Sequence, residues 1–385
     1  MLLTIGNAPR DYAWGRRGAI SALLGLPDTD AVEAELWLGA HPGSPSRVLE
    51  PEAVGGAEDL ALAVEAVPEL TGGTGRFPFL LKVLAAGAPL SLQAHPTAAQ
   101  AREGFERENA AGIPVDAPNR NYRDPYPKPE VIVAVSERFE ALSGFRPAAE
   151  ASREIVEIAA PIGAQDAVLP LLRRLADDES VGDAFVWLLS GAPEVPAIVE
   201  AIGRGVAADP LRHPHAAWIA GLYPGDPGIV GALLLHHVAL ARGEALYLPA
   251  GNVHAYLDGV GIELMVASDN VLRGGLTPKH VDAAELARVL HRAAGPVPLL
   301  EPRPLPEGGV EYRPEDPEAG FGLALVETAA LLPLSGPAIA LCIEGAFALS
   351  GAASTGGIAR GEAMLITPDE GELRVSGAGR LFVAR

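Results

Sequence analysis

The sequence has one cysteine, Cys342, so neither an intramolecular disulfide nor a thiolate metal cage can form. Its apolar flanks, Ala340, Leu341 and Ile343, predict a buried thiol. Positive charge is scarce as well: 29 Lys and Arg stand against 49 Asp and Glu, a net charge of −20. That balance argues against nucleic acid and against an anionic membrane surface as partners. An anionic ligand then needs a local basic pocket. No apolar run approaches the ~18 residues of a membrane span; Ile229 to Leu240 is short and carries His236 and His237. Met1 to Gly6 lacks the basic segment and long apolar core of a secretory signal, and Arg10 and Asp11 follow. A soluble cytoplasmic protein is the expectation.

At 385 residues the chain exceeds one ordinary core, and 44 Gly with 35 Pro suggest many turns and short strands. Apolar runs of strand length at Phe79–Leu84, Val131–Val135 and Gly261–Ala267, and alternation at Ala245–Leu248, predict strands, which return beyond residue 320. From about 148 to 235 the period changes: Ile155, Val156, Ile158 and Ala159, then Phe185, Val186, Leu188 and Leu189, have helical spacing. Gly361 to Pro368 echoes Gly243 to Pro249 without a following histidine, which suggests a degenerate second copy. The chain therefore reads as mainly β with a helical insertion. Its expected parts are a catalytic barrel from 1–147 and 236–300, a helical segment 148–235, and a degenerate C-terminal barrel 301–385.

Chemistry gathers on a few strands. Ser91, Gln93 and His95 are two apart, so on a strand they share a face. Lys82 lies inside an apolar strand and needs a partner or a cavity. Glu130 opens a strand behind Pro127-Lys128-Pro129, and His254 follows the Pro249-Ala250-Gly251 turn. Gln93, His95, Glu130 and His254 together offer two nitrogens and two oxygens, which suits Zn²⁺ or a similar divalent ion; a hydrogen-bonded core network is the other reading. Tyr256 shares the face of His254. Trp14 and Trp37 either seal a barrel end or contact substrate. Gly274 and Gly275 permit close backbone approach after Arg273. The run from Pro118 to Asp124 reads as a solvated loop, and His213, His215, His236, His237 and His291 as surface or satisfied core residues.

Several motifs occur in order: Ser91-Leu92-Gln93-Ala94-His95-Pro96, Asn109 to Pro114, Lys128-Pro129-Glu130, Pro249-Ala250-Gly251 with His254-Ala255-Tyr256, and Ser268 to Lys279 with Asn270-Val271-Leu272-Arg273. In these the chain resembles the type I mannose-6-phosphate isomerases (phosphomannose isomerases), members of the cupin superfamily of double-stranded β-helix, or jelly-roll, barrels. The resemblance runs from about residue 6 to 290 and more loosely to the end. It implies one Zn²⁺ per chain on Gln93, His95, Glu130 and His254, with Arg273 as the active-site arginine. The substrate implied is a small sugar phosphate, interconverted between mannose 6-phosphate and fructose 6-phosphate, and a monomer is expected. Ala98 and Pro127 stand where many family members carry a lysine and a histidine, so no role is assigned there.

Aldose–ketose isomerisation moves a proton between C2 and C1 and requires a base. Glu263, Lys128 and Asp269 are the candidates, each with a supporting structural role as the alternative. Arg273 suits enediolate or phosphate binding. Ser91 and Lys82 are candidates for holding the phosphate, and Tyr256, Asp269 and Trp14 for contacting substrate. Another cupin metalloenzyme, or a non-catalytic sugar-binding module, is also compatible with the motifs.

Overall fold

Strand alternation places the two faces of each central strand in different cores. The computed structural model describes residues 1–385. One sheet is built from Glu35–Leu38, Phe79–Ala86, Glu130–Ala134, Ala245–Leu248 and the second half of the long strand His254–Val266. The first half of that strand pairs instead with Gln93–Ala94 and Arg138–Phe145, and Leu235–Ala241 extends this second sheet. A register shift between Tyr256 and Asp258 marks the change of sheet. Leu84, Ile132 and Leu246 from the first sheet share one apolar cluster with Phe139, Val238 and Tyr256 from the second. The two sheets therefore face each other, as in the expected jelly roll, with the candidate site between them.

The opposite face of the first sheet is equally apolar. Leu81, Val83, Val131, Val133, Ile262 and Leu264 pack on Leu3, Ile339, Leu341, Leu365 and Phe382 of a C-terminal sheet. At about 1.5–3 kcal/mol for each fully buried aliphatic side chain, this shared core welds the two sheets. That explains why Phe79–Ala86 is buried throughout, with Lys82 its only polar residue. The C-terminal sheet encloses a further core in which Cys342 is wholly buried.

The N-terminus belongs elsewhere than its position suggests. Leu2–Gly6 pairs antiparallel with Ala363–Ile366, and Arg47–Val48 joins beside it. Residues that the sequence reading placed in the catalytic barrel thus complete the C-terminal sheet. A strand's partner is a matter of register and apolar match, and Leu3 and Ile5 find theirs almost a full chain length away.

Between the sheet strands lie helices at Ala148–Ala159, Gln165–Leu172, Val181–Leu188, Val195–Ala208, Pro214–Leu222 and Gly228–Ala232. Their apolar stripes bury Ile155, Phe185, Ile198 and Ile202 in one core with Leu257 and Leu272 of the second sheet and Leu92 beside it. No helix of the chain is long and apolar enough to cross a membrane.

Candidate metal centre and its pocket

Proline confines the first ligand pair. The strand carrying Gln93 is only Gln93–Ala94, flanked by Pro89 and Pro96. His95 therefore follows a strand and does not lie on one, contrary to the sequence expectation. The Pro249-Ala250-Gly251 turn compensates. Gly251 has φ 79°, and a Cβ there would come within 2.9 Å of the Val289 carbonyl. Its N–H donates to the His95 carbonyl (2.8 Å), so the turn before His254 also fixes His95.

Register completes the set. His254 lies opposite Gln93, and Arg273 lies opposite Gln93 on its other side. Directly opposed residues project to one face, so these three side chains are neighbours. His95, Glu130 and His254 are wholly buried, and their ligand atoms all lie within 4.8 Å of one another. The Nε2 atoms of His95 and His254 each stand 3.4 Å from a Glu130 oxygen.

The imidazoles are fixed from behind. His95 Nδ1 donates to the Asn270 carbonyl (2.7 Å) and His254 Nδ1 to the Asn252 carbonyl (3.0 Å). In the neutral rings the lone pair is then on Nε2, which is the tautomer a metal ligand needs. His95 Nε2 and Glu130 Oε2 are buried without a hydrogen-bond partner. Leaving such atoms orphaned is costly, and a cation between them removes the cost. The Gln93 amide nitrogen is 3.3 Å from His254 Nε2; a half turn of the amide presents its oxygen instead. The residues present thus fit a divalent ion of the zinc class.

Charge around the ligands supports the same reading. Burial and nearby Lys128 hold the His95 imidazole down to about 4, hence neutral. Burial opposes a charge on Glu130, but Lys128 (2.8 Å) and the two histidines outweigh it and keep the carboxyl well below its ordinary range.

A cavity of about 700 Å³ opens in front of this centre. Trp14, Lys82, Ser91, Gln93, Lys128, Glu130, Tyr256, Glu263, Asp269 and Arg273 all line it. His95 and His254 lie behind its wall. Lys82 is not a free cation for phosphate, contrary to the sequence expectation. It is 7% exposed, and its ammonium is 3.1 Å from Glu263 and 3.7 Å from Glu35. Burial and the facing Glu130 and Glu35 raise the Glu263 carboxyl even with Lys82 pulling against them. The Tyr256 hydroxyl is buried and unpartnered. Trp14 stacks on Tyr12 at the cavity wall, whereas Trp37 donates to Glu35 and is locked in its strand. Asp269 faces His41 at 3.3 Å.

Two cations that sequence reasoning missed complete the wall. Arg123 and Lys279 line the cavity with Arg273, and none of the three has a salt-bridge partner. Burial lowers the Arg273 guanidinium's pKa, helped by Arg123; burial also lowers that of the Lys279 ammonium, helped by Arg273 and Arg123. Like charges held together in a half-buried wall are a receptor for an anion. Arg123 was hidden in the run expected to be solvated. That run is in fact pinned: the Arg120 side chain is buried and meets Glu108 at 2.9 Å, and Tyr122 is 1% exposed. Asn270 accepts from the Arg123 and Asp124 N–H groups and donates to the Asp124 and Tyr126 carbonyls. Gly274 and Gly275 turned out to serve packing: a Cβ on them would strike Phe185 and Gly228 of the helical insertion at 2.8 Å.

Fold and site together define a jelly-roll metal-binding protein with a cation-walled pocket. Residues 2–148 match the family described as the phosphomannose isomerase type I catalytic domain. The mannose-6-phosphate isomerase of Escherichia coli K12 is 36% identical over 97% of both chains, and mannose-6-phosphate isomerase 1 of Arabidopsis thaliana 30% identical over 97% of this chain and 91% of its own. A Salmonella typhimurium mannose 6-phosphate isomerase, solved with its substrate and a zinc atom bound, superimposes with a TM-score of 0.86 at 33% identity, covering 100% of this chain and 98% of its own. The chain belongs to the type I mannose-6-phosphate isomerase family.

Proposed function

We propose that the protein is a zinc-dependent aldose–ketose isomerase that interconverts mannose 6-phosphate and fructose 6-phosphate. One observation carries this reading: an orphaned imidazole nitrogen of His95 and an orphaned carboxylate oxygen of Glu130, with His254 beside them, lie next to a cavity that also presents three cations without salt-bridge partners. A sugar phosphate has matching ends, with vicinal oxygens for the metal and a dianion for the cations.

Gln93, His95, Glu130 and His254 would hold the ion. When bound, zinc supplies Lewis acidity toward the sugar oxygens and offsets charge on an enediolate. Arg123 and Lys279 bind the phosphate, and Arg273, neighbouring Gln93 across the strand pair, stabilises the oxygen charge as it develops. Glu263 removes the proton from C2 of the open-chain aldose and returns it to C1. Its raised carboxyl brings it closer to the working range of a base at neutral pH, and it faces the cavity. Lys128, beside Glu130, is placed to move the second proton between the two oxygens. Lys82 balances Glu263 and Glu35 without touching the substrate. All these groups come from one chain, so a monomer contains the complete site.

The test is a coupled assay with mannose 6-phosphate on zinc-loaded protein, on protein stripped by a chelator, and on stripped protein returned to zinc. Turnover should vanish and return. A folded, zinc-loaded protein that converts nothing would refute the reading.

A further inference from the structure

Outside the cavity, three metal-ligating side chains from three elements converge. Glu140 is on the strand Arg138–Phe145, His237 on Leu235–Ala241, and His215 in the first turn of the helix Pro214–Leu222. His215 Nδ1 is 3.2 Å and His237 Nε2 3.5 Å from the same oxygen, Glu140 Oε2. Ligands at Zn–N and Zn–O distances of about 2.0–2.1 Å stand roughly 3.3–3.4 Å apart at the corners of a tetrahedron, so both observed separations are close to a tetrahedral edge. All three ligand atoms lie within 4.8 Å of one another. The other Glu140 oxygen accepts from Arg138 Nε, which orients the carboxylate and leaves Oε2 for the histidines. The two rings stack at 3.6 Å, an arrangement unfavourable to two imidazolium charges. Burial, reinforced by His215, lowers the pKa of His237, which favours the neutral ring that a metal needs. Both histidines are about one-third exposed, so solvent can reach the remaining coordination positions. Asp258 stands opposite Glu140 in register but is engaged by Arg16.

We propose that Glu140, His215 and His237 form a second divalent-cation site, of the zinc or nickel class, which staples the helical insertion to two strands of the second sheet. Two imidazoles and one carboxylate are a donor set these borderline ions favour. Modest rotation of the stacked rings lets both nitrogens face one ion. Because the site ties three elements together, occupancy stabilises the native state by mass action.

The experiment is equilibrium dialysis of the full chain against zinc at neutral pH, with metal analysis, for wild type, His215→Asn, His237→Asn, His254→Asn and the His237→Asn/His254→Asn double variant. Wild type should bind about two ions, each single variant about one, and the double variant none. Isomerase activity of the first two variants should equal that of wild type when zinc is supplied. Added nickel should raise the melting temperature of wild type further than that of the His215 and His237 variants, which keep only the rise due to the His254 site. One ion in wild type, lost with His254→Asn, overturns the second site and leaves the isomerase reading intact. A second ion that survives both His215→Asn and His237→Asn also overturns it.

Discussion

Replacing Lys82 by methionine removes the one cation between two buried carboxylates while keeping most of the apolar stem. Glu263 is 3% exposed and Glu35 10%. Deleting one member of a buried ion pair costs about 3–5 kcal/mol, because the remaining charge has neither water nor partner. The sheet that holds Lys82 shares its core with the C-terminal sheet, so the loss is expected to be felt by a large cooperative unit. A chain of 385 residues has an unfolding entropy of roughly 0.8 kcal/mol/K by the usual per-residue average, so the melting temperature should fall by about 4–6 °C. The deficit also depends on pH. Glu263 already has a folded-state pKa above its ordinary value, burial being the largest cause, and loss of Lys82 raises it further. A carboxyl raised on folding contributes stability below its unfolded value, and that contribution disappears as pH rises through the folded value. Lys82→Met should therefore lie nearer wild type at pH 5 than at pH 8. Adding Glu263→Gln removes the stranded charge and should recover much of the loss at pH 8. Thermal melts of wild type, single and double variants at the two pH values decide the matter. A deficit independent of pH, or a double variant no more stable than Lys82→Met at pH 8, would refute the charge-balance account.

Arg273→Ala should keep about one catalytic zinc while kcat falls by roughly 10²–10³, as for loss of a donor to a developing oxyanion; metal analysis beside the coupled assay checks both halves, and zinc loss would make Arg273 structural. Lys279→Met should raise KM for the sugar phosphate by about 10–100-fold, the worth of one charged hydrogen bond, with kcat little changed. Asn270→Ala removes the side chain that fixes Arg123 but retains the carbonyl that accepts from His95, so KM should rise more than zinc affinity falls; steady-state kinetics and a zinc titration separate the two. In metal-free protein, burial holds His95 at about 4, below its unfolded value of about 6.5. A histidine depressed on folding contributes stability above the unfolded value and loses it as pH falls toward the folded one. Urea titrations between pH 7 and 4 should show that slope, and His95→Gln should flatten it.

The candidate metal ligands stood out in the sequence because their signals are local. Gln93 and His95 share a two-residue spacing between prolines, Glu130 follows Pro129, and His254 follows a turn whose glycine the backbone requires. The helical insertion was legible through its change of period. The cation-lined wall was not. Arg123 sits among polar residues that look solvated, and contacts to Glu108 in the preceding helix and to Asn270, Asp282 and Glu285 from distant segments make that run rigid. Lys82 was rightly marked as needing a partner, but the partner is a cross-strand neighbour, Glu263, and its identity depends on register. Gly274 and Gly275 show the same limit: a close approach was foreseeable, but the surface approached was not.

The pairing of Leu2–Gly6 with Ala363–Ile366 has a consequence for biosynthesis. The first strand to leave the ribosome waits for one of the last. At about 5–20 residues per second, translation of the intervening chain takes roughly 20–70 s. Throughout that interval Leu3 and Ile5 lack their Ala363–Ile366 partner, and the outer face of the catalytic sheet, with Leu81, Val131 and Leu264, lacks its C-terminal cover. The nascent chain thus carries an adhesive edge and an adhesive face until its C-terminal strands emerge. A fragment ending near residue 300 would keep both permanently, so the metal-bearing half is not a detachable module.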